Sequence, residues 1–257
     1  MDNKSDRLDS RLMLSFWIMG GRLYPFEQKQ LMSKTVMTTV YQVHCSCKSN
    51  GHSKYGDIGF SEKYEDPDSP YATIACRAMQ NMGQTIRPYW PVDCVLKPRE
   101  KRRKLGDLVP DASLLFLSSN AYLTLQDLIA PYGEFLPARL LKTNDVEEDW
   151  IVYHPLRCFS VIHDPRCEIE WLGPREDNCP LHVTKFYFEE EKIKDVPIFM
   201  LEEDTSMFVT DSFFNRVRDA KLKGLGFRKL WNSELGPVHS EITIKTWGLP
   251  EDEDFNW

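Results

Sequence analysis

A chain of 257 residues that is 42% hydrophobic and 12% aromatic can bury a sizeable core, in one large domain or two small ones, and its 28% charge with ordinary Pro and Gly content excludes a largely disordered chain. The net charge of −7 is unevenly spread: residues 145–211 hold 17 acidic and six basic side chains, whereas KPREKRRK (97–104) holds six basic and one acidic. Seven cysteines (Cys45, Cys47, Cys76, Cys94, Cys158, Cys167, Cys179), an odd number with no signal peptide expected before them, point to a reduced, cytoplasmic protein rather than a disulfide scaffold, and no membrane anchor is expected because the apolar patch LMLSFWIMGG (12–21) is too short to span a bilayer.

Residues 1–36 carry no clear period and read as an N-terminal extension, although Phe16, Trp17, Leu23, Tyr24 and Phe26 are costly to leave exposed. MTTVYQVHCS (37–46) then alternates as a strand, with Val40, Gln42 and His44 on one face. Residues 48–70 are loop-like. TIACRAMQNMG (73–83) reads as a short helix stopped by Gly83, and IRPYWPVDCVL (86–96) as extended, because each proline turns its predecessor away from helix. KPREKRRKLGD (97–107) is the expected linker.

Beyond it the pattern sharpens. ASLLFLS (112–118) predicts a buried strand, and Ser118 or Ser119 caps a helix over 120–130 with Ala121, Leu125, Leu128 and Ile129 on one face, ended by Pro131 and Gly133. EFLPARLL (134–141) and WIVYHPLRCFSVI (150–162) predict extended chain, followed by strands at EIEW (168–171), HVTKFYF (182–188) and PIFML (197–201). Met207, Phe208 and Val209 form a strand leading to Thr210 as N-cap and Asp211 in the first helical turn. Phe213, Phe214, Val217 and Ala220 supply that helix's apolar face, Gly224 its left-handed cap, and 225–231 the exit strand. LFLSSNAYLTLQDLIA and MFVTDSFFNRVRDAKL share an order of apolar, Phe, apolar, hydroxyl and polar residues, which suggests two related strand–helix–strand units.

The chemistry-bearing motifs are sparse. Gly224-Leu225-Gly226 follows its helix, whereas a phosphate-cradling loop needs its glycines at the helix N-terminus, where free amides point at the anion. His44-Cys45-Ser46-Cys47 has the wrong spacing for a structural zinc and alternates across a strand, and Cys158, Cys167, Cys179 and His182 meet only if the fold gathers them. No metal or cofactor is expected, and the cysteines read as small buried hydrophobes. No nucleophile elbow, zinc-protease helix or Walker loop occurs, and His154 and His163 read as structural histidines in β-rich segments. KPREKRRK lacks the interleaved aromatics of a nucleic-acid module and reads as a connector. Two rivals to an interaction protein stay open: a hydrolase or transferase using His44, Cys45 and His52 in the 37–96 region, and a nucleic-acid-associated regulator using 97–104, which steep salt-dependent retention on DNA favours.

GDLVPDASLLFLSSNAYLTLQDLI, EFLPARL, DWIVYHPLRCFSVI, PIFM, MFVTDSFFNRV and KGLGFRKLW follow one another in an order that resembles the bacterial immunity proteins numbered eleven among the polymorphic-toxin immunity families. Pro110 and Asp111, Leu136 and Pro137, Tyr153, Ile198 and Phe199, Thr210 to Phe213 and Gly224 to Phe227 carry the resemblance, which covers about 105–231. It implies a non-enzymatic protein that binds and masks a cognate toxin domain. Many such toxins are nucleases with basic sites, which an acidic face can occupy as a nucleic-acid mimic. Glu189, Glu190, Glu191, Asp195, Glu202, Glu203 and Asp204 are the expected toxin-binding face. Neither membrane nor nucleic acid is an expected partner. The expected fold is α+β, with mixed sheets and a few short helices, divided into an N-terminal part (37–96), the linker, an immunity-like domain (108–235) and an acidic–aromatic tail (236–257).

Overall fold

The computed structural model describes residues 37–45, 55–60, 78, 82–99, 104–111, 113–142, 147–161, 163–171 and 180–238, all within one compact unit that begins at Met37. The expected extension (1–36), His52, the bulk of the 73–83 helix and residues 239–257 of the tail lie outside them. The fold is α+β with mixed sheets and short helices, as the sequence leads one to expect.

Two split β-α-β units make the frame. In the first, β5 (Leu114–Ser118) leads through α1 (Ser119–Ile129) to β6 (Gly133–Leu141), and β7 (Glu147–Pro155) lies between the two strands, antiparallel to both. In the second, β12 (Asp204–Thr210) leads through α3 (Asp211–Asp219) to β13 (Leu225–Asn232), and β1 (Thr39–Cys45) takes the place between them, again antiparallel to both. The related strand–helix–strand segments therefore have one topology. Each unit extends into a six-stranded sheet. The first sheet runs β2 (Ile58–Phe60), β3 (Val95–Pro98), β6, β7, β5, β4 (Leu108–Asp111). The second runs β14 (Gly236–Pro237), β13, β1, β12, β11 (Ile198–Leu201), β8 (Cys158–Phe159). A separate hairpin pairs β9 (Glu168–Trp171) with β10 (Pro180–Lys185).

This pairing corrects the expected division at 97–107. β1 sits inside the second sheet, and β3 pairs with β6, so strands on both sides of the supposed linker share the same sheets. Lys97 and Pro98 are themselves strand residues, and the Lys104 carbonyl accepts the Gly56 amide at 2.9 Å. The expected tail likewise starts as structure, since Gly236 and Pro237 pair with Asn232 and Trp231.

β5 and β11 are buried on both faces, which is why they read as the unbroken apolar runs LLFL and IFML. The inner faces share one core with the helices, in which Leu115, Leu117, Tyr153, Ile198, Met200 and Val209 pack with Leu125 and Ile129 of α1 and Phe213 and Val217 of α3. Ile86, Cys94 and Trp90 cover the outer face of the first sheet, over Phe116, Leu136 and Val152. Phe186, Phe188 and Ile193 cover the outer face of the second, over Phe199, Phe208 and Trp231.

Several local details differ from expectation. Arg87–Tyr89 is a 3-10 turn rather than extended chain, because Pro88 sits at its start, where a fixed φ and a missing N–H cost nothing. Ser118 does cap α1, accepting the Ala121 amide at 3.3 Å. Thr210 does not cap α3: its hydroxyl donates to the Val196 carbonyl at 3.0 Å instead. Asp211 is drawn to the neighbouring strand, where its carboxylate accepts the Thr39 amide at 2.5 Å and the Tyr41 hydroxyl at 3.2 Å. Ala220 is exposed at the helix end, and Lys221, not Gly224, takes the left-handed position (φ 55°). The amides of Lys221 and Leu222 then bond back to Arg218 and Val217, both at 3.0 Å, closing a Schellman motif.

Gly224 serves a different purpose. Its φ is 117°, and a Cβ there would lie 1.9 Å from the Leu108 carbonyl oxygen. Gly106 meets it from the other unit, with a Cβ there falling 2.6 Å from the Gly224 Cα. Asp107 stitches the same junction: its carboxylate accepts the Lys223 amide at 2.9 Å, and its carbonyl accepts the Ser118 amide at 2.8 Å. Gly224→Ala is therefore expected to destabilise the fold by more than about 3 kcal/mol in urea unfolding, combining backbone strain with a main-chain clash. A loss within about 0.5 kcal/mol would show that the close approach is not required.

Candidate functional site

Of the acidic residues singled out from sequence, Glu189 lines an open groove of ≈ 610 Å³ on the outer side of the second sheet. One wall is the loop after β8. Parallel pairing of β8 with β11 fixes its start, and the Phe159 carbonyl accepts the Glu202 amide at 2.9 Å. Glu203, in the β11–β12 turn, holds the next residues by accepting the Ser160 hydroxyl and the Val161 amide (3.1 Å). Asp164 closes the loop on itself. Its carboxylate accepts the Arg166 amide at 2.9 Å and grips the guanidinium through Nε at 2.9 Å and a second nitrogen at 2.6 Å. That hydrogen bond, against the opposing effect of burial, holds the Asp164 carboxyl below the usual range.

The facing wall comes from 186–193. Phe186 and Phe188 are buried and Tyr187 between them is only half-buried, so its ring reaches the groove. Cys167 fastens the two walls, accepting the Tyr187 amide at 3.3 Å and donating to its carbonyl at 3.8 Å. The Arg166 guanidinium lies 4.9 Å from the Tyr187 ring centre, and the Lys185 ammonium 5.9 Å from it. Glu189 precedes the single turn of α2 (Glu190–Ile193), and Ile193 tucks its buried side chain into the groove floor.

The seven candidates thus divide. Glu189 lines the groove and pairs with Lys192 at 2.7 Å; both side chains are 61% exposed. Glu191 pairs with Lys194 at 2.6 Å, Glu190 is half-buried in α2, and Asp195 and Glu202 are exposed. The Asp195 carbonyl accepts the Tyr132 hydroxyl at 2.7 Å. Glu203 and Asp204 are turned inward. Glu203 builds the opposite wall, and Asp204 accepts the Ser206 amide at 2.7 Å and the Gln42 amide group at 3.4 Å. Asp164, Arg166 and Tyr187 were not singled out in sequence. The local signal was Asp-Pro-Arg, a turn in which an aspartate can accept the amide two residues on.

Of the residues of the rival enzymatic reading, His52 lies outside the described residues. His44 and Cys45 are successive on β1 and face opposite ways, and the Cys45 thiol donates to the Pro110 carbonyl at 3.9 Å. Burial pushes the Cys158 thiol up to about 11. Among the described residues no three His, Cys, Asp or Glu side chains gather as a metal site, and no helix is long and apolar enough to cross a membrane.

A second polar cluster lies under the first sheet's cover. Glu134, 7% exposed, accepts the Thr85 hydroxyl and the Ile86 amide, each at 2.7 Å, and stands 3.4 Å from Nδ1 of the buried His154. The Arg87 guanidinium and Trp90 indole donate to the carbonyls of Phe135 (2.9 Å) and Pro137 (2.8 Å), so the 85–90 turn is latched to β6. Glu134→Ala, which leaves the Ile86 amide buried without its acceptor, is expected to lower stability by about 2 kcal/mol or more in urea unfolding. An unchanged midpoint would count against the latch.

No family profile and no curated protein sequence matches this chain.

Two partly or fully buried histidines set a pH dependence. Burial, helped by Arg228 and opposed by Asp204, holds His44 at about 4 against the ordinary 6.5. Burial also lowers His154, with Glu134 opposing. The folded state therefore takes up fewer protons than the unfolded chain below pH 6.5, so stability present at pH 7 is lost as pH falls through 6.5 toward 4. Between pH 7 and 5 His44 contributes a loss of about 2 kcal/mol, read as a drop in the urea midpoint. His44→Gln is expected to shrink that drop, and a drop of undiminished size in the variant would assign the proton uptake elsewhere.

Proposed function

We propose that this chain is an interaction protein that binds and neutralises a cognate bacterial toxin domain through the acidic side of its second sheet. The observation that carries this reading is the charge around the groove: across residues 163–171 and 180–204, ten carboxylates stand against four basic side chains. All four of those bases already have an acidic partner, Arg166 with Asp164, Lys185 with Glu168, Lys192 with Glu189 and Lys194 with Glu191, so the surplus is negative. A field of that sign steers a basic partner into contact and repels nucleic acid. The ordered motifs over 105–231 that resemble the immunity family support the same reading, with a nuclease as the kind of toxin an acidic face suits.

The test is co-expression with a cognate toxin domain, to be sought at the 3′ end of the gene immediately upstream. The wild-type chain is expected to restore growth, and Glu190→Lys, Asp195→Lys and Glu202→Lys together are expected to abolish that protection while leaving the urea midpoint near wild type. Growth restored equally by the charge-reversed chain would remove the acidic face as the interface, and failure of the wild-type chain to protect would remove the reading itself.

A further inference from the structure

We propose that the groove between residues 159–161 and 163–166 on one side and 187–193 on the other is a socket for one basic side chain of the partner, an arginine or lysine that takes Glu189 from Lys192. The inference rests on the acidic-face reading above and names the contact at its centre.

Three observations lead to it. Phe159, Val161, Tyr187 and Ile193 give part of the lining an apolar or aromatic surface along which a long aliphatic stem would lie, between polar side chains that include His163 and Ser160. Lysine and arginine bury such stems while keeping the charged head at a polar rim. At ≈ 610 Å³ the groove is large enough for one such side chain with its accompanying water. At that rim Glu189 is held only by Lys192, three residues along the same short helical turn, in a pair exposed on both sides. Such a pair is worth little and is readily exchanged for a better-placed cation.

The groove also carries a worked example of what it binds. The chain's own Arg166 lies against the Tyr187 ring with its guanidinium in the fork of Asp164, which is the carboxylate-and-aromatic arrangement that reads a cation. The surrounding surplus of carboxylates supplies the sign: an anionic occupant would enter against it. Glu203 contributes by position, fixing Ser160 and Val161 and so the width of the socket, rather than by touching the guest.

Lys192 and Lys194 make the test specific. Both are single basic residues beside the same turn, each paired to one glutamate, but only Lys192 lines the groove. Binding of a fluorescent acetyl-tetra-arginine amide to the full chain at physiological salt is measured by anisotropy, with amide NMR shifts to locate it. Lys192→Ala is expected to tighten binding by roughly two- to fivefold over Lys194→Ala, the worth of one exposed ion pair released. Glu189→Gln is expected to weaken it by a similar factor, and shifts are expected at 159–166 and 187–193. Equal effects of the two lysine variants would mean a diffuse charge effect and would overturn the socket. Weaker binding in Lys192→Ala would mean an anion site and would overturn it as well. A toxin domain that binds the wild-type chain yet does not distinguish Lys192→Ala from Lys194→Ala would sink the socket alone. A toxin domain that does not bind at all would sink the acidic-face reading, and with it the socket.

Discussion

Gly106 and Gly224 meet backbone to backbone, and the way the two split units share a core depends on that meeting. A side chain at either place would push apart the start of β4 and the start of β13, one from each sheet. Asp107 exploits the closeness by binding the Lys223 amide with its carboxylate and the Ser118 amide with its carbonyl. One residue thus ties the exit of α3 to the entry of α1. With the junction fixed, α1 and α3 lie close enough for Arg216 to donate to the Thr124 carbonyl and fork onto Asp127. The apolar faces of both helices then fall into the single inner core.

A frame whose inner strands β5 and β11 are buried on both faces leaves few places for charge near its middle. Some charge sits at strand ends, as at Glu147–Asp149 of β7, but many carboxylates collect in the turns and covering segments laid over the second sheet. Those segments are anchored rather than loose. Phe186, Phe188 and Ile193 are buried beneath them, and Cys167 and Glu203 bind main-chain amides across them. An acidic surface built this way is pre-organised, so little ordering cost falls on association.

Much of this frame was legible in the sequence, for reasons that differ by element. Apolar runs bounded by Ser, Pro and Gly announce β5, α1, β6 and β12, because those boundaries follow from capping and turn chemistry close in sequence. The acidic run Glu189–Glu191 was equally visible. The interleaving was not: β1 lies more than 160 residues from its partners β12 and β13, and no local pattern encodes a pairing of that range. Thr210 misled because a cap looks the same in sequence whether its hydroxyl turns to the helix or to a carbonyl across the sheet. The groove was hidden for a similar reason. Tyr187 reads as one more aromatic in FYF, and only the burial of its neighbours turns it outward.

Amide hydrogen exchange on the chain alone and with the proposed toxin partner tests the central claim most directly. The account predicts that added protection on binding concentrates in 158–167, 187–195 and the β11–β12 turn. Protection confined to the cover of the first sheet, at the latched 85–90 turn, would contradict it.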